Sequence, residues 1–319
     1  MNRCTSSIAT LAFATVCTWS AFATAADRTI YSAPDKSLVF LGGVGYTWLK
    51  ADELVFDSAG NRISKLIWQT NAPVLTAGLT ADANGWTFSA NAVVGFSGNS
   101  HMEDYDWLEL APSFAAADWS NQSIHPDTHL DRYINLDLAA GRDFAIDEVT
   151  TLNLHGGFKY TNVKWSAYGG SYIGSVERFR DTRGKFPHDE PLVDYEQRYP
   201  GFFLGVEATT KLDNWALSGL VRGGLSINAR AIDLHWPSRV GQYDFRTNPF
   251  ISVGAKADYR ISDRASLFLT GNFDEYFRDK GDTTSYELSK GAQSSMTFKD
   301  SAGLDFYALT MSAGFKLTF

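Results

Sequence analysis

The chain has 319 residues, a formal net charge of −8, 14% aromatic residues and two cysteines. The acidic balance argues against nucleic-acid binding as a main role, because a phosphate backbone is bound by surplus Lys and Arg. Both cysteines, Cys4 and Cys17, fall in the opening segment, so a chain without that segment has no disulfide, thiolate or cysteine–metal chemistry.

That opening segment reads as a secretory signal peptide over residues 1–25. Arg3 supplies the positive start, Ile8 to Trp19 an apolar stretch, and Ala23-Thr24-Ala25 a small-residue cleavage signal. The mature part is expected to start near Ala26 or Asp27 and to form a single domain over 26–319. Beyond the signal no apolar run is long enough for a spanning helix, which needs about 18 residues or more. Hydrophobicity instead alternates. Leu38, Phe40, Val44, Tyr46 and Trp48 fall on one side of a strand and Gly43, Gly45 and Thr47 on the other. The period returns at Trp86 to Phe96, at Ile134 to Leu138, and at Trp215 to Ile227, whose opposite face carries Arg222 and Asn228. A water-lined lumen takes an arginine and an asparagine where an apolar core would not. The last run alternates from Tyr307 to Phe319, and ending on Phe319 resembles the C-terminal signature of outer-membrane barrel strands.

Tight polar turns are expected at Asp82-Ala83-Asn84-Gly85, Asp147-Glu148, Asp213-Asn214 and Ser262-Asp263-Arg264. Between them, longer polar segments near 51–64, 97–130, 169–192, 231–244 and 279–303 read as loops. Four short turns and five long loops predict an all-β fold: a ten-stranded antiparallel transmembrane β-barrel, long loops extracellular and short turns periplasmic. So narrow a barrel is filled by its own side chains, which moves function to the outer rim.

Two rim segments carry paired ionisable groups. Asp104 and Asp106 flank Tyr105, and Asp233 and His235 flank Leu234. In extended chain such i, i+2 pairs share a face, about 6.5 Å apart. Asp233 would orient the His235 imidazole, leaving the other ring nitrogen to take a proton from water, while Asp104 and Asp106 hold that water from the opposite wall. By spacing alone, such triplets in loops are usually solvated turns. His125 and His129, four apart, are read as hydrogen-bonding residues and not as a metal pair. His155 is read as packing into the lumen, His101 and His188 as solvated loop residues, and the basic run Arg178, Arg180, Arg183 and Lys185 as a solvated loop. No Gly-x-Ser-x-Gly elbow or phosphate loop is present.

Asp104 to Trp107, His125-Pro126-Asp127-Thr128, Gly169 to Tyr172 with Phe179-Arg180-Asp181, Tyr195-x-Gln197-Arg198 and Asp233-x-His235 occur in the order and approximate spacing of the omptin family, which the mature chain resembles over most of its length. The resemblance implies an outer-membrane endopeptidase that cleaves proteins and peptides at the cell surface, typically between basic residues. By it, Asp233 and His235 look like the water-activating dyad and Asp104 and Asp106 like the facing couple. Glu53, in Glu53-Leu54-Val55-Phe56, looks like the base of the pocket for the residue before the cleaved bond. Two departures weaken basic selection: Ala231 stands where the pocket's second acid is expected, and Asn121 replaces an aspartate on the leaving-group side. The resemblance also implies bound lipopolysaccharide, with Arg198 as a lipid-binding residue, although Asn162 stands where a lipid-contacting arginine is expected and Lys164 is nearby. No metal or other cofactor is expected.

Strict alternation opposes this site. Counted from Trp86 and from Trp215, both Asp104 and Asp233 point outward. An inward dyad therefore requires breaks near Gly98-Asn99 and near residues 228–232, and bulges of this kind are common at barrel rims. Two rival readings are a non-catalytic barrel serving as adhesin or receptor and a lipid-modifying barrel enzyme with a lipid-facing Ser-His pair.

Overall fold

A computed structural model describes residues 38–288 and 295–319; the expected signal peptide and both cysteines lie outside them. The strands are β1 Leu38–Phe56, β2 Arg62–Ala83, β3 Trp86–Gly95, β4 Asn99–Asp106, β5 Asn121–Ala145, β6 Thr150–Gly174, β7 Thr182–Leu212, β8 Trp215–Ile227, β9 Arg230–His235, β10 Arg239–Asp244, β11 Thr247–Ser262, β12 Ala265–Glu287 and β13 Ser295–Thr318. β3 continues into β4, β8 into β9 and β10 into β11 after short interruptions, so among the described residues the wall is crossed ten times. All pairings are antiparallel. β1 pairs with both β2 and β13, and β7 reaches β12 through β8–β11 in one half and β9–β10 in the other, which closes the sheet without an edge.

The outer face carries a belt of exposed apolar side chains, among them Val44 at 65%, Phe88 at 51% and Leu204 at 76% exposure. Such a surface suits hydrocarbon and not water. Tyr46 and Trp48 bound the belt on one side, and Trp215 against Tyr259, with ring centroids 4.9 Å apart, bounds it on the other. The short turns are tight, as expected: Asn84 and Gly85 both have positive φ (54° and 77°), which is the geometry of a two-residue hairpin loop that follows the strand twist.

The expected long loops differ. Most of their residues are strand: β7 alone runs through 31 residues, and the tip between β1 and β2 is only Asp57 to Asn61. Hairpins continue past the belt into water, where both faces tolerate polar residues, so the alternation that reveals a membrane strand fades there.

Inside, an aromatic layer crosses the barrel. Trp68 stacks between Trp165 and Tyr195 at 5.9 and 5.6 Å, and Tyr199 stacks on Tyr276 at 4.1 Å beside Phe250 and Phe306. Towards the short turns lies a polar cavity of about 250 Å³ lined by Asp137, His155, Lys159, Arg222 and Asp274 among others. His155 is buried there as expected, taking the Arg222 Nε–H at 3.0 Å. Towards the other end the barrel opens into an acidic cleft.

The interruptions reverse the side-chain alternation. In β3 the even residues Trp86 and Phe88 face out, whereas in β4 the even residues Ser100 and Met102 are buried. In β8 Trp215, Leu217 and Val221 face out, whereas in β9 Ala231 and Asp233 are buried. The first break includes Ser97 at φ 70°, whose N–H bonds Leu130 O beside a bulge in β5. The second includes Asn228 at φ 55°, and its partner strand breaks opposite it between β10 and β11. Both breaks fall where an inward dyad requires them.

Candidate active site

Glu53, on β1, lies five residues beyond the belt aromatic Trp48, or roughly 16 Å along the strand, so the cleft stands clear of the apolar belt. Asp104 is the ladder partner of Leu66 on one side and Ser123 on the other. Asp233 is the partner of Tyr195 and Gly241. The four expected catalytic residues therefore project into one cleft from two walls.

Asp233 is 1% exposed and its Oδ2 lies 2.9 Å from His235 Nε2. With Nε2–H donating to that carboxylate, Nδ1 is the nitrogen left to accept a proton. The Tyr243 hydroxyl lies 3.2 Å from the same Asp233 oxygen and 2.9 Å from Glu53 Oε1. Gly241 makes room for this, since a Cβ there would meet the Tyr243 ring at 3.0 Å. Glu53 is fully buried, and its Oε2, like Asp233 Oδ1, has no protein hydrogen-bond partner.

Burial and neighbouring charge act together on these acids. Burial, then the Asp233 and Asp104 charges, push the Glu53 carboxyl well above the usual carboxylate range. Burial followed by Asp106 and Asp233 does the same to Asp104, with Ser64 and Arg239 opposing. Burial raises Asp106 as well, against the pull of Ser64, His235 and Arg239. The single Tyr243 O–H can donate to Glu53 Oε1 or to Asp233 Oδ2, so the phenol links the two acids.

Of the other expected residues, His125 is buried, with Nδ1 2.6 Å from Gly169 O and Nε2 2.7 Å from Ser123 Oγ. Its role is hydrogen bonding, as expected, and the Ser123 hydroxyl is thereby oriented beside Asp104. Asn121 Oδ1 accepts the Ser175 N–H at 3.1 Å and so holds a loop. His101 and His188 are exposed, but both stand on strands, β4 and β7, and not in loops; His188 lies beside Asp189. Arg180 is not simply solvated: its guanidinium lies 3.4 Å from the Trp119 ring centre and donates to Ala117 O and Trp119 O.

On the outer wall, Arg198 grips Glu196 through two 2.8 Å contacts. Arg132 on β5 reaches the same Glu196 and Asn162. Arg132 thus brings a guanidinium from the neighbouring strand to the place where Asn162 lacks one. Sequence reasoning missed Arg132, Tyr243, Arg239 and Ser123. The alternation Arg239, Gly241, Tyr243 opposite His235, Asp233, Ala231 was the available signal for two of them.

The profile of the omptin family matches residues 36–319. The chain is 27% identical over 285 residues to "Protease 7" of Escherichia coli K12, covering 85% of this chain and 86% of that protein. It is 25% identical over 309 residues to the "Plasminogen activator" of Yersinia pestis, covering 92% and 94%. The crystal structure of outer membrane protease OmpT from Escherichia coli superposes with a TM-score of 0.83 at 25% identity, covering 92% of this chain and all of that one.

Proposed function

The chain belongs to the omptin family, and from that premise we infer how its cleft hydrolyses a peptide bond. It is an outer-membrane peptidase. A water between the two walls gives a proton to His235 Nδ1, while Asp233 holds the ring and carries the imidazolium charge through the 2.9 Å contact at Nε2. Asp104 and Asp106 position that water, and one of them, holding a proton because its affinity is raised, donates to the carbonyl oxygen as it becomes negative. The imidazolium then returns its proton to the leaving amine. The observation that carries this reading is the reversed alternation at both rim breaks, which turns both pairs into the same cleft.

The cleft is at the long-hairpin end, so in the expected barrel orientation it faces the outside of the cell. The family resemblance implies a preference for basic residues around the cleaved bond, and Ala231 and Asn121 each remove one attraction on which that preference would rest. Lipopolysaccharide binds at Arg132 and Arg198, whose guanidiniums meet anionic phosphate at the interface.

The purified protein, in detergent with lipopolysaccharide, is given a mixed peptide library at several pH values. Cleavage that disappears in His235→Ala and Asp104→Ala variants is the expected result; no products at any pH would favour a binding barrel. The Ser123–His125 contact favours one second reading, with Ser123 as nucleophile. A Ser123→Ala variant that retains measurable turnover, and a wild-type enzyme with no acyl adduct by intact mass, exclude it.

A further inference from the structure

The acids of the cleft already have a cation, and it belongs to this chain. Arg239 opens β10 directly opposite His235, so the ladder that points His235 and Asp233 inward points Arg239 inward too. Its Nη2 lies 3.8 Å from Asp233 Oδ2, and half of the side chain remains open to solvent at the cleft mouth. The Arg239 charge opposes the raised proton affinity of both Asp104 and Asp106, so the guanidinium is felt on the opposite wall as well.

Beneath it, the pocket that the resemblance assigns to a basic side chain is closed. Tyr243, ladder partner of Ala231, lies over the place where a second acid would stand, and its hydroxyl occupies Glu53 Oε1 at 2.9 Å. Trp68 and Tyr195 stack at the same level, and Glu53 has no exposed surface. An incoming arginine or lysine side chain therefore meets a buried carboxyl already engaged by a phenol, that phenol in its path and a guanidinium of like charge at the mouth.

Resting on the hydrolytic reading above, we propose that Arg239, backed by Tyr243, is the specificity-determining residue of the cleft: it fills the cation subsite from within the chain and selects peptides with an uncharged side chain before the scissile bond. The selection works by repulsion as much as by fit, since like charges brought together in a poorly solvated cleft are rejected even where shape allows entry.

The test uses the full-length protein with lipopolysaccharide and matched peptides that differ only in the residue before the cleaved bond: Arg, Lys, Gln, Leu or Ala. The quantity read is the ratio of kcat/KM for Arg to that for Leu within each variant, so a general loss of rate cancels. The wild type is expected to favour Leu and Gln over Arg by about tenfold or more, and Arg239→Ala to shift that ratio towards Arg by about tenfold to a hundredfold, as removal of one unfavourable charge contact predicts. Arg239→Lys keeps the wild-type order, because the charge and not the shape does the selecting. A wild type that favours Arg, or an Arg239→Ala variant that cleaves with an unchanged ratio, overturns the proposal and leaves the hydrolytic reading intact. If no variant cleaves any peptide, both fall together.

Discussion

The two ends of the barrel interior treat buried charge in opposite ways. In the cavity near the short turns opposite charges are paired: Lys159 lies 3.0 Å from Asp274, Arg222 lies 3.2 Å from Asp137, and Asp258 sits between Lys256 and Lys316 at 3.7 and 3.6 Å. In the cleft, Glu53, Asp104, Asp106 and Asp233 crowd together against Arg239 and His235. Balanced pairs hold a narrow barrel together, whereas an excess of one sign raises proton affinities, at a cost in stability. The contrast shows which of two equally polar regions suits the proposed chemistry.

Substitutions can break this comparison from either side. The largest effect is expected in the cleft. Asp233→Asn should leave the barrel folded yet lower kcat/KM by about 10²–10⁴, the usual contribution of a positioned acid–base group. Steady-state peptide cleavage, with heat-shifted gel migration as the fold control, measures it. In the lower cavity the same kind of change should act on stability. Lys159→Ala leaves Asp274 buried without its cation and should cost about 3–5 kcal/mol, whereas replacing both by apolar residues should restore most of the loss. Urea unfolding in detergent separates the two.

How much of this was legible in the sequence follows the same division. Strands in the belt declared themselves, because lipid on one side and a wet lumen on the other impose alternation at Val44 to Trp48 and at Tyr307 to Phe319. The hairpin extensions did not. With water on the outside and a polar cleft within, residues such as Arg239 to Asp244 show no apolar face, and a strand reads as a loop. The proposed catalytic pairs were visible as i, i+2 triplets, and the conflict with alternation correctly located breaks near 96–98 and 228–229. Tyr243 and Arg239 were missed because the alternation that carries them gains meaning only from the register of the hairpin, which pairs Arg239 with His235 and Tyr243 with Ala231. Arg132 was hidden because its partner Glu196 lies two strands away on the outer wall.

A smaller expected effect concerns the lipid. Arg132→Ala should weaken activation by lipopolysaccharide by about tenfold, the scale of one half-exposed charge-assisted contact, and titration of activity against the lipid measures it. The smallest change sharpens the comparison through pH. Because the folded Glu53 carboxyl holds its proton more tightly than the unfolded one, raising the pH through and beyond the ordinary carboxylate range costs the folded state stability. Glu53→Gln removes that cost. Its urea midpoint should match wild type in acid, where both states carry the proton, and exceed it progressively as the pH rises; a gain confined to acid would reverse the sign.

The most direct test of the account is a high-resolution crystal structure of the active protein with its lipid. The account predicts one ordered water bonded at once to His235 Nδ1 and to a carboxylate oxygen of Asp104 or Asp106. It is contradicted if no single water can reach both walls, or if Ser123 Oγ occupies the line of attack in its place.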